Sequence, residues 1–290
     1  MNTAILKEYS PKARARLLDQ NKQILEALNI DQSLSLSYFQ DHSVVALDDL
    51  RLPILDFISN KFQGDNEEFL EYISYTWFNR LCAIRYVELN GLFDHKLQAL
   101  SHPSVMGASE FLANIDFYHD DIGLSSSELD TLKLETNPLE AVFSRVLELH
   151  CKILSSKFPF LFSIHDNENL VLNHFMPKFG RDSFIEEFVA NTPAELLSEV
   201  ESLGWIYQFY NLDLNTQAKE IKKGGVPEKL IPAATQFFTP NWICKYLNEN
   251  SVGRLWLDHN EGSNLKSEMK YFVETKTPTS LNGGGASRTY

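Results

Sequence analysis

At 290 residues, 43% of them hydrophobic and 12% aromatic, the chain is long enough to bury one large core or two smaller ones. Its 39 acidic and 26 basic residues leave a net charge of −13, which argues against a module that grips the DNA backbone by itself and leaves an acidic face free to meet a basic protein partner. There is no run of 18 apolar residues, so no membrane span is expected, and the opening Met1–Arg16 lacks the apolar core of a secretory signal.

Taken in order, Ser10-Pro11 reads as a helix start, with Ala13, Leu17, Ile24 and Leu28 near one stripe. Val44–Phe62 reads as a second helical stretch, interrupted or restarted at Pro53. The strongest periodicity runs from Asn66 to Asn90, where Phe69, Tyr72, Ile73, Trp77, Leu81, Ile84 and Val87 recur at three- and four-residue steps and Gly91 supplies the end. On that helix Trp77 and Phe78 read as core, and Arg80 or Arg85 as a buried partner for Glu71 or Glu88.

Residues 92–136 alternate short apolar runs with turn signals (His102-Pro103, Asp120-Asp121, Gly123, Ser125–Ser127), and no element is assigned there. Asn137-Pro138-Leu139-Glu140 has the form of a capping box opening a helix to about Ser156. Asp182 and the box Thr192-Pro193-Ala194-Glu195 start two more, the second reaching Tyr210. Residues 219–229 are charged and contain Gly224-Gly225, the composition of a linker. No sustained two-residue alternation is present, so the fold is expected to be mainly α. Residues 274–290 hold little to pack and are expected to be disordered.

The most informative stretch is Gly225–Trp256. Thr239 suits an N-cap and Pro240 the first helical position; Trp242, Ile243, Tyr246 and Leu247 then share a face, and Asn250 with Gly253 marks the stop. A helix start can receive a carboxylate or phosphate, and Phe237 and Phe238 could shelter an apolar group beside it. The same pattern also describes an ordinary capped helix with core aromatics.

Thr235, Gln236, Phe237, Phe238, Thr239 and Pro240 resemble the QFFTP element that opens the catalytic domain of gamma-type N6-adenine DNA methyltransferases. More narrowly, Ile231–Gln236 and Asn248–Trp256 are similar to the PglX family, the adenine-specific DNA methyltransferases of BREX phage-defence systems. So are Met1–Arg14, Tyr75–Leu81 and Gly204–Asn211, in the same order. The resemblance spans roughly residues 1–273. It implies that the six-residue element packs over S-adenosylmethionine, that the complete enzyme methylates adenine N6 in double-stranded DNA, and that other BREX proteins are its partners.

That family needs two further elements, a DPxxGSG turn after the first strand and an Asn-Pro-Pro-aromatic loop that holds the flipped adenine. Neither occurs here. Gly283-Gly284-Gly285 has no Asp-Pro before it, and Asn137-Pro138-Leu139-Glu140 lacks the second proline and the aromatic and lies upstream of the QFFTP element. The resemblance therefore implies a helical N-terminal region (1–218), a linker (219–229), the opening segment of an α/β methyltransferase domain that is not completed (230–273), and no catalytic residue. The alternative is a standalone helical interaction or assembly module. Two other chemistries are weighed and set aside. Glu220-Ile221-Lys222 with Asp213 has the letters of a Mg²⁺ nuclease in a charged, solvated segment. His95, His102, His119 and His165 lack metal-ligand spacing and read as surface or capping residues. Cys82, Cys151 and Cys244 lie far apart and read as reduced core thiols of a cytoplasmic protein. No metal is expected.

Overall fold

The computed structural model describes residues 3–30, 51–162, 166–197, 199–221, 225–235, 237–260 and 262–274. Every regular element among them is helical, in keeping with the mainly-α expectation. The described chain forms two compact units that part between Gln236 and Phe237.

The first unit is built on the Asn66–Asn90 periodicity. Helix α1 spans Ala4–Ala27, α2 Arg51–Phe62 and α3 Asn66–Leu89. Asp65 caps α3, its carboxylate accepting from the Glu67 and Glu68 amides at 2.9 and 3.0 Å, and Glu67 and Glu68 sit in the first turn, where the helix dipole favours acids. Gly91 ends it at φ +59°, a left-handed turn that glycine enters without strain. Phe69, Ile73, Trp77, Phe78, Leu81 and Ile84 are buried, each contributing about 1.5–3 kcal/mol of apolar burial. Trp77 also donates its indole N–H to the Leu172 carbonyl at 2.8 Å, so its polar edge is satisfied inside the core.

Helix α1 starts six residues earlier than Ser10-Pro11 indicates and carries Pro11 inside it. Leu6 and Tyr9, on the turn before the proline, are buried. That burial outweighs the one backbone hydrogen bond that Pro11 cannot donate. Asn21 of α1 donates to Ser74 of α3 at 2.9 Å, and Arg14 pairs with Glu71. Of α2, the part expected at 44–50 lies outside the described residues; within Arg51–Phe62, Pro53 is the third residue.

Residues 92–136 fold as short helical pieces: Glu110–Ala113, Ile115–Tyr118, a 3-10 turn at His119–Ile122, and α4 (Ser126–Lys133). Two of the four starts have a local signal, Ser109 accepting from the Leu112 amide and Ser125 from the Glu128 amide; Ile115–Tyr118 and His119–Ile122 begin without a side-chain cap. With α5 (Pro138–Ser155) they enclose a satellite core of Phe111, Ile115, Ile122, Leu124, Leu129, Val142, Val146 and Leu149.

Pro138 does open α5, but Asn137 makes no side-chain cap. Glu140 turns away from the helix start and accepts from the Phe179 amide, 39 residues on, at 3.2 Å. The capping box is therefore not formed; the carboxylate serves a long-range contact instead. Helix α6 is Asp166–His174 and α7 Phe184–Asn191. Ser183, not Asp182, caps α7, accepting from the Glu186 amide at 3.1 Å, while Asp182 has φ +58° and donates its amide to Glu186. Thr192 does not start the next helix either. Its hydroxyl bonds back to the Phe188 carbonyl at 2.6 Å, closing α7, and α8 begins only at Glu201, running to Tyr210.

Helix α9 (Leu212–Glu220) and the single turn Ile231–Thr235 lie together within the first unit, Asn215 donating to the Ala233 carbonyl at 2.7 Å. Charge is buried here too: Arg85 pairs with Glu88 at 2.5 Å, as one of the expected pairings has it. The Leu100 amide and Ser101 hydroxyl also donate to Glu88, and Arg85 donates to the Thr192 carbonyl. Burial pushes the Glu88 carboxyl up, and the Arg85 guanidinium pulls it back. Cys82 and Cys151 are buried thiols, whereas Cys244 is exposed, contrary to a core reading of all three, because it sits on a helix with no buried face. No described helix is long and apolar enough to cross a membrane. The tail beyond Glu274 lies outside the described residues.

Candidate functional site

The division between the units cuts the QFFTP element. Thr235 is the last residue of the Ile231–Thr235 turn, its hydroxyl bonded to the Ile231 carbonyl at 2.8 Å. Gln236 lies outside the described residues. Phe237, Phe238, Thr239 and Pro240 open the second unit in irregular backbone, Phe237 exposed and Phe238 half-buried.

Helix α10 follows, Asn241–Asn250. Its N-cap is Pro240, at φ −53° and ψ 142°, and not Thr239. Proline brings no side-chain acceptor, so the first turn is without a side-chain cap. The Thr239 carbonyl instead accepts from the Cys244 thiol at 3.8 Å. Trp242, Tyr246 and Leu247 fall on the exposed side, 54%, 42% and 58% accessible, and no residue of α10 is buried. A helix start whose N-cap brings no side-chain acceptor, beside exposed aromatic surface, has the chemistry that an anionic ligand with an apolar part would use.

Gly253 is no stop. Helix α11 runs Val252–His259 with Gly253 inside it and buried. A Cβ there would meet Met269 Cε at 2.6 Å, so glycine permits a close approach by the Met269 side chain. Asn250 does more than end α10. Its amide donates to the Tyr271 carbonyl and accepts from the Val273 amide, both at 2.8 Å, holding residues 271–273 as a neighbouring strand would. Glu249 accepts from the Tyr271 amide, and the Arg254 guanidinium lies 4.7 Å from the Phe272 ring centre. Nothing local in the sequence marks Asn250 for this, because its partners lie more than 20 residues on.

The rejected motifs stay apart from any chemistry. Asn137-Pro138 is a helix opening; Asp213 and Glu220 lie on α9 rather than on strands, and Lys222 and His165 are outside the described residues. Among the described residues no three His, Cys, Asp or Glu side chains gather to hold a metal. Of the histidines, His102 accepts from the Ser104 amide at 3.1 Å as a capping residue would, whereas His119 and His95 lie deeper than a surface reading has them. His119 is buried and bonds to the Leu124 carbonyl at 2.7 Å. His95 meets the fully buried His150 at 3.0 Å, between the rings of Phe93 and Phe111. His150 was not a sequence candidate; its position among the buried Val146, Leu147 and Cys151 of α5 is the signal that would have found it.

Comparison with known proteins then gives the chain its relatives. It is 36% identical over 298 residues to the adenine-specific methyltransferase BrxX of Escherichia coli O9:H4 (strain HS), an alignment covering 96% of this chain and 24% of that protein. It is 28% identical over 288 residues to the adenine-specific methyltransferase PglX of Lacticaseibacillus casei (strain Zhang), covering 89% and 23%. No protein-family model matches the chain. Along almost its whole length, the chain is thus related to the BrxX and PglX adenine-specific methyltransferases, and it spans about a quarter of theirs.

Proposed function

We propose that this chain is the helical region and QFFTP element of a BREX-type adenine-specific DNA methyltransferase. The complete enzyme would transfer a methyl group from S-adenosylmethionine to N6 of adenine in host DNA, marking it in phage defence. The observation that carries this reading is the similarity to BrxX and PglX over nearly all of the chain. In it, Thr235, Gln236, Phe237, Phe238, Thr239 and Pro240 pack over the cofactor, double-stranded DNA is the substrate, and other BREX proteins are partners. The cofactor turn and the adenine loop lie in sequence that these 290 residues do not contain, so the chain alone is inactive.

The test is a graft. Residues 1–273 replace the matching quarter of the Escherichia coli BrxX protein, and adenine methylation of host DNA is read by sequencing. Methylation should persist in the graft and disappear when Phe237 and Phe238 are both changed to alanine. A folded graft that leaves the DNA unmethylated, or alanine variants that methylate normally, would contradict the proposal.

A second reading is a standalone helical interaction or assembly module. The main core of the first unit favours it, because among the described residues that core draws on helices α1–α3 and α5–α8. Genomic sequence directly downstream separates the two: a frame continuing into DPxxGSG and NPPY favours the methyltransferase, an unrelated gene the module.

A further inference from the structure

The satellite core carries an outer face that neither reading uses. Phe117, on the Ile115–Tyr118 turn, and Leu134, just past the end of α4, are 85% and 87% exposed. Their chain neighbours are joined by the Lys133–Asp116 ion pair at 2.5 Å, which brings the two residues into one neighbourhood of the surface. Around them the surface is acidic. Residues 110–135 hold seven acidic side chains and one lysine, and that lysine is already paired. Asp120, Asp121, Asp130 and Glu135 are exposed.

A large exposed phenylalanine and leucine lose apolar contact with water only when a partner covers them. The acidic rim selects that partner. Duplex DNA and anionic lipid are repelled by it, whereas a cationic segment is attracted and steered onto it. We propose that this face of the satellite core is a docking surface for a protein segment that is both basic and apolar, such as a Lys-rich amphipathic helix laying its apolar stripe over Phe117 and Leu134.

The full 290-residue chain is titrated against three labelled peptides of equal length, read by fluorescence anisotropy: an amphipathic Lys/Leu helix, a Lys/Ser peptide of the same charge, and an amphipathic Glu/Leu helix. The Lys/Leu peptide should bind, should weaken at high salt, and should protect amides within residues 115–134 from exchange. Changing both Phe117→Ser and Leu134→Ser leaves the charge untouched and the cores intact, and should weaken binding by at least about tenfold. Equal binding of Lys/Ser, equal binding by the double variant, or protection mapping to Trp242–Trp256 instead would overturn the proposal. So would preferential protection of residues 115–134 by duplex DNA, or a wild-type dimer that the double variant dissolves in sedimentation equilibrium. No binding of the Lys/Leu peptide would overturn it as well.

Discussion

The His95–His150 contact makes the stability of the first unit depend on pH in one direction. The Leu97 amide donates to His95 Nδ1 at 3.1 Å, and His150 Nδ1–H donates to the Val146 carbonyl at 2.8 Å. His95 Nε2–H is then the donor and His150 Nε2 the bare acceptor across 3.0 Å. A proton added to His150 would set two N–H groups head to head, and one added to His95 would face the Leu97 amide. Burial pushes His150 down to about 4 from its ordinary 6.5. It also lowers His95, against the pull of Asp121, Asp94 and Glu110.

Between pH 6.5 and 4 the unfolded chain therefore binds the proton that the folded His150 refuses. This part of the stability is whole above pH 6.5 and is lost as pH falls, at about 1.4 kcal/mol per pH unit and about 3 kcal/mol across the window. His150→Gln keeps a neutral side chain and removes the titration. Urea unfolding at pH 7 and pH 5 should show the wild type losing about 2 kcal/mol more than the variant over that interval. Equal losses would refute the neutral, buried pair.

Glu88→Ala should destabilise the first unit by about 3–5 kcal/mol in urea unfolding, because it strands the buried Arg85 guanidinium, and Arg85→Met added to it should recover much of the loss. Asn250→Ala removes the two-way clamp on residues 271–273 and should speed amide exchange at Tyr271 and Val273, while leaving α3 unchanged; unchanged exchange at Val273 would contradict the clamp. Calorimetry of the 290-residue chain with S-adenosylmethionine should show no micromolar binding, and incorporation of labelled methyl groups into DNA by this chain alone would defeat the proposed division of the enzyme.

What was legible in the sequence was what local chemistry decides. Helix α3 could be read because one face repeats over 24 residues and because Gly91 is needed where φ turns positive. Arg85 with Glu88 was legible because three residues on a helix bring side chains together. The misreadings arise where a cap or break signal competes with another partner, near or far. Glu140 leaves its box for the Phe179 amide, Thr192 bonds backward to Phe188, and the buried Leu6 and Tyr9 extend α1 past Pro11. Residues 92–136 were opaque because pieces of four to eight residues are too short to show a period. At the candidate site, the helix after Pro240 was legible and its cap was not: Thr239 has the right side chain, but Pro240 takes the N-cap position.

The proposed function places α10 in a domain whose remainder is not in these 290 residues. Trp242, Tyr246 and Leu247 are exposed, where Phe69, Ile73 and Trp77 of α3 are wholly buried; each of the three would contribute about 1.5–3 kcal/mol if covered. The direct measurement is amide hydrogen exchange on the 290-residue chain and on a chain in which the following methyltransferase sequence of a relative is joined after Val273. Thr239–Asn250 should exchange much faster than Phe69–Val87 in the first and slow selectively in the second. Exchange in Thr239–Asn250 already as slow as in Phe69–Val87 in the 290-residue chain would contradict the claim and make the self-sufficient module the better reading.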